Sequence, residues 1–136
     1  MIIPIIVAVI GLVISLNNEE EENDSIFHVT LADPKMYENN VFSDVFFVEP
    51  GEYSFRFVPN GDSPQILSIS LQGKNFRYDE NFRLNGTLHD TGISQYYTWD
   101  YDGQKRIEIS QGEELRIQIN PNGNVLGSVS VDILGN

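Results

Sequence analysis

Apolar and polar residues alternate with period two through most of the chain. That is the pattern of strands buried on one face. Phe27, Val29 and Leu31 alternate with Ile26, His28 and Thr30. Tyr53, Phe55 and Phe57 do the same, as do Leu67, Ile69 and Leu71. Ile107 and Ile109, then Leu115, Ile117 and Ile119, flank Gln111-Gly112-Glu113 and predict a hairpin. Val129, Val131 and Ile133 form a final run, and Phe46–Val48 and Tyr96–Tyr101 add two more. Pro50-Gly51, Pro59-Asn60-Gly61-Asp62, Gln72-Gly73, Asn85-Gly86, Asp102-Gly103 and Pro121-Asn122-Gly123 punctuate them as turn signals. No stretch after Ser25 has a helical period. The expectation is an all-β, seven- to eight-stranded antiparallel β-sandwich, of jelly-roll or immunoglobulin/GOLD-like type. It occupies residues 26–136, after an acidic linker over 19–25.

The first residues break the alternation. Ile2, Ile3, Pro4, Ile5, Ile6, Val7, Ala8, Val9, Ile10, Gly11, Leu12, Val13, Ile14, Ser15 and Leu16 carry no charge. As a helix they reach about 22 Å, short of a hydrocarbon core of about 30 Å. Pro4 falls in the first turn, where its missing N–H costs little. Three readings stand: an uncleaved signal anchor over residues 1–18, a cleaved signal peptide, and a buried core element. The acidic block Glu19–Glu22 directly after the run argues against the core element. The lack of a basic n-region argues against cleavage, which leaves a single transmembrane helix as the favoured reading. Glu19 to Glu22 and Asp24 follow the run, and the first basic residue is Lys35. Nothing therefore holds the C-terminal side in the cytoplasm. The expected placement is a single pass of the cytoplasmic membrane, N-terminus inside and β domain outside. An integral-membrane partner would relieve the short span, with Ala8 and Gly11 on a small-residue face.

Composition narrows the function. A formal charge of −12 repels phosphate backbones, so nucleic acid is excluded as a partner. Cysteine is absent, which removes disulfides, thiolate metal sites and a cysteine nucleophile. Two histidines, His28 and His89, are too few for a typical zinc or copper site. Gly92-Ile93-Ser94-Gln95-Tyr96 lacks the second glycine of a nucleophile elbow. Asp100-Tyr101-Asp102-Gly103 opens like a calcium loop, but no glutamate follows at the required spacing. These readings predict no enzyme activity, no cofactor and no resident metal, and they indicate no small-molecule ligand. Tyr96, Tyr97, Trp99 and Tyr101 remain as a possible surface for a ligand or partner, with core filling as the alternative. Asn23-Asp24-Ser25 and Asn85-Gly86-Thr87 are glycosylation sequons and agree with export.

Three resemblances accompany these readings. Val45-Phe46-Phe47-Val48-Glu49-Pro50-Gly51-Glu52-Tyr53-Ser54-Phe55-Arg56-Phe57 resembles the strand, turn and aromatic strand of Emp24/GOLD-type sandwiches. Those domains carry paired cysteines and a C-terminal span, both missing here, so cargo-receptor function does not carry over. Ile3–Ile10 resembles the start of mature archaeal type IV pilins, without their basic leader and with the apolar run ending early. The chain as a whole, with His28–Pro34 and the ending Asn120–Gly123 and Val129–Ile133, resembles small membrane-tethered proteins of ammonia-oxidising archaea. Together these readings give a non-enzymatic accessory or interaction subunit of a membrane or cell-envelope complex. The alternatives are a surface module binding carbohydrate or calcium, and a filament subunit.

Overall fold

The computed structural model describes residues 25–60 and 62–136. The anchor and linker expectations for residues before Ser25 fall outside them. Among the described residues there are nine strands: β1 (Ser25–Leu31), β2 (Phe42–Val48), β3 (Gly51–Pro59), β4 (Ile66–Gln72), β5 (Arg77–Asp90), β6 (Gln95–Asp102), β7 (Arg106–Ile109), β8 (Glu113–Asn120) and β9 (Val129–Gly135). A single 3-10 turn over Pro34–Met36 is the only helical element among them, and none is long and apolar enough to cross a membrane.

The strands form two antiparallel sheets, in the orders β1-β9-β3-β7 and β2-β8-β4-β5-β6. Alternate residues of each meet between the sheets. Leu31, Val131 and Ile133 from one side and Leu67, Phe82, Leu115, Ile117 and Ile119 from the other lose all contact with water. Aromatic rings bridge the two layers. Phe55 lies 5.5 Å from Tyr78 and from Phe82, and Phe57 lies 4.8 Å from Phe82 and 4.9 Å, edge-on, from Tyr101. Burying side chains of this size contributes on the order of 2 kcal/mol each. The sandwich follows from the period-two pattern.

Three expectations need correction. The described residues form nine strands rather than seven or eight, because β5 buries too few residues to show an alternation. Ile107–Ile109 and Leu115–Ile119 are not a hairpin: β7 pairs with β3 in one sheet, and β8 lies between β2 and β4 in the other. The exposed Gln111-Gly112 link passes from one sheet to the other at the rim, because both strands fill the same interior from opposite layers. Asn85-Gly86 is not a turn but the middle of the fourteen-residue β5, which the alternation did not predict. There Gly86 is paired with Trp99, and a Cβ on Gly86 would stand 2.8 Å from the indole ring. The glycine is in the strand because the ring lies across it.

Candidate functional site

β5 has two partners in succession. Arg77 to Arg83 pair with β4, ending at Ile66, and Arg83 to Asp90 pair with β6. Past Arg83, strands β5 and β6 continue as a two-stranded ribbon beyond β4. Its core-side face carries the cross-strand pairs Leu84–Tyr101, Gly86–Trp99 and Leu88–Tyr97. Burial falls off along that row. Leu84 is buried, Tyr101 packs on Phe57, and the Lys105 ammonium sits 4.9 Å over the Tyr101 ring. Trp99 is partly buried on Gly86. Leu88 and Tyr97 are about half exposed, at 49% and 47%.

Tyr97 and Trp99 are two residues apart on one strand, a spacing of about 6.6 Å. Their ring centroids are 5.7 Å apart with planes 28° from parallel. They therefore stack against one another along the strand. Below them Ser63, Gln65, Arg83, Leu84, Asn85 and Gly86 complete a cleft of about 370 Å³. The β3–β4 loop closes one wall, where the Leu84 N–H donates to the Gln65 carbonyl at 2.8 Å. The opposite face of the ribbon is polar. His89 stacks on Tyr96 at 4.9 Å, its Nε2 is 2.8 Å from the Thr98 hydroxyl, and Asn85 donates to Asp102 at 3.1 Å.

The ribbon's turn is held by its own side chains. Asp90 accepts the Gly92 N–H at 2.8 Å and the Gln95 amide at 3.3 Å. These bonds to the ionised form hold the Asp90 carboxyl below the usual carboxylate range. Ile93 stands at the tip, 96% exposed.

A second polar cluster crosses the outer face of the four-stranded sheet. Asp132, on β9, is almost fully buried and takes His28 Nδ1 at 2.5 Å and Arg56 Nη2 at 3.1 Å, from β1 and β3. His28 Nε2 lies 3.3 Å from the Thr30 hydroxyl, which is 2.9 Å from that of Ser130. The order carboxylate, imidazole, hydroxyl has the outline of a proton relay. His28 and Arg56 are about half exposed, so the face does not exclude water as stabilisation of an oxyanion requires. What the cluster does is tie β1, β9 and β3 together through one buried acid.

The residues singled out from sequence are thus divided. Tyr97, Trp99 and Tyr101 share the core-side face of β6, with Tyr101 inside and Tyr97 out, while Tyr96 is on the other face. His28 and His89 lie in different sheets and form no common site. Among the described residues no three metal-ligating side chains converge. Asp132, Arg56, Gly86 and Leu88 were not anticipated. Their roles depend on which strands are neighbours, and no local pattern contains that. Comparison with protein-family models, curated proteins and solved structures finds nothing that matches this chain.

Proposed function

We propose that this protein is a non-enzymatic interaction module, held on the outer side of the cytoplasmic membrane by residues 1–18, and that it docks the β5–β6 ribbon on an integral-membrane protein. The order β1-β9-β3-β7 against β2-β8-β4-β5 is that of an eight-stranded jelly roll, with β6 added at one edge. The observation that carries the proposal is what β6 adds. It brings Tyr96, Tyr97 and Trp99, and pairs them with a stretch of β5 that no other strand touches. The eight-stranded core is closed without Tyr97 and Leu88, and their half-exposed side chains fit an interface better than a fold requirement. An aromatic cluster of this kind is the composition of binding hot spots.

The test is co-purification of the full chain from its native membrane. Leu88→Asp and Tyr97→Asp are expected to lower recovery of the partner about tenfold or more, as loss of a hot-spot contact does, with the thermal melt unchanged. Undiminished recovery with both variants would move the interface off the ribbon.

A second reading has its own observation. The Tyr97–Trp99 aromatic pair beside the polar cleft suits the apolar face of a pyranose ring, with Ser63 and Gln65 of the β3–β4 loop lining the same cleft. A saccharide that shifts Trp99 fluorescence and is displaced by no protein partner would favour it.

A further inference from the structure

Four strands end the two sheets: β1 and β7 in one, β2 and β6 in the other. A bare edge presents unpaired N–H and C=O groups, and folded proteins blunt such edges with bulges, short strands or inward charges. Three of these four are blunted. β1 shifts register between Ser25 and Phe27. β7 has four residues. β2 places Asp44 on the core-facing side, opposite Ile117, and the Asp44 carboxylate accepts the Val45 N–H at 2.8 Å. β6 is neither short nor bulged and points no charge toward the core; its two acids, Asp100 and Asp102, stand on the other face. It runs for eight residues without proline or lysine, and its register with β5 is unbroken from Gln95 to Asp102.

The turn fixes which of its backbone groups are open. Thr91 N–H donates to the Ser94 carbonyl at 3.0 Å. Counting from that pair, antiparallel alternation makes His89–Tyr96, Thr87–Thr98 and Asn85–Asp100 the hydrogen-bonded pairs. The N–H and C=O groups of Tyr97, Trp99 and Tyr101 therefore point out of the sheet, along the free edge.

We infer that this edge takes an extended segment of a partner polypeptide as a sixth strand of the five-stranded sheet. The inference rests on the protein-partner reading above and names how that partner binds. Main-chain bonds supply the affinity in such strand addition, and alternate side chains supply the choice. Here one face of the added strand meets Tyr97 and Trp99, which favours apolar residues. Its other face lies beside Asp100 and Asp102, on a chain of formal charge −12, which favours lysine and arginine. The segment is thus one that alternates apolar and basic residues. A second copy of this chain would instead bring the same acids and the same net charge against themselves.

The test uses the full chain in detergent micelles and a short capped peptide of alternating valine and lysine. Amide exchange is followed residue by residue by NMR. The Tyr97 and Trp99 amides are expected to slow by about tenfold or more when the peptide is added, while those of Tyr96 and Thr98, already bonded to β5, do not change. The peptide N-methylated at every residue, and a valine–glutamate peptide, should give no protection. Tyr97→Pro, which removes an outward N–H, should weaken binding more than Tyr97→Ala, which removes only the ring. Equal binding by the methylated peptide, or no protection at Tyr97 and Trp99, overturns the inference. So does sedimentation showing that peptide-free protein already covers these amides by dimerising. If Leu88→Asp abolishes co-purification while the amides stay open, the ribbon remains the interface and strand addition alone falls.

Discussion

Gly86 and Trp99 form a pair in which the smallest residue makes room for the largest. The contact is a packing requirement, since a Cβ would meet the six-membered ring at 2.8 Å. Gly86→Ala should therefore lift the ring and cost about 1–3 kcal/mol, the usual range for overpacking. Trp99 is the only tryptophan, so its fluorescence reports the displacement directly. A red-shifted emission together with a lower urea midpoint is expected, and unchanged values for both would refute the contact. Asp132 is the polar counterpart. With His28 and Arg56 both bonded to it, Asp132→Ala removes the buried carboxylate that the two share and should cost about 1–3 kcal/mol, the range for hydrogen bonds to a charged group. Asp132→Asn keeps one acceptor and should cost less. If asparagine proves as damaging as alanine in a urea melt, the hydrogen bonds are not what Asp132 contributes.

At the scale of elements, the strands legible in the sequence are those whose alternate residues reach the core. β3, β4, β8 and β9 declare themselves in this way. β5 does not, because only Tyr78, Phe82 and Leu84 of its fourteen residues are buried. The rest of it is ribbon, where polar residues and a glycine imitate a loop. Sheet membership was equally hidden for β7 and β8, since a hairpin and a link between sheets use the same alternation and the same turn residues. For the candidate site, β6 showed its aromatic residues but not its partner strand. Hence Leu88, Gly86 and the free edge had no local signal. The ribbon's turn gives a pH prediction. Asp90 is held below the ordinary carboxylate range in the folded chain, so its bonds contribute above that range and are lost as pH falls through the lowered value. The Gly92 amide proton should titrate with a midpoint below the ordinary aspartate value of about 3.9. A midpoint at or above that value would mean the Asp90–Gly92 bond does not order the turn.

For the whole molecule, the question is whether the β domain depends on the segment that precedes it. Among the described residues, Phe27, Leu31, Phe55, Phe57, Phe82, Val131 and Ile133 all lie within a single core between the two sheets. With no cysteine to bridge and no metal-ligating cluster among the described residues, the core is left to hydrophobic burial. A fragment beginning at Ser25 is expected to give a β-type circular dichroism spectrum and one cooperative melt, insensitive to EDTA. The same comparison separates the readings of Ile2–Leu16. If those residues are an anchor, the full chain stays with the membrane pellet after a high-salt wash, and the fragment, which retains most of the acidic surface, stays in the supernatant. Intact-mass measurement of the native protein should then retain the segment, whereas a mass starting near Leu16 would make it a cleaved signal. A fragment that fails to melt cooperatively, beside a full chain that does, would put Ile2–Leu16 in the core and end the anchor proposal.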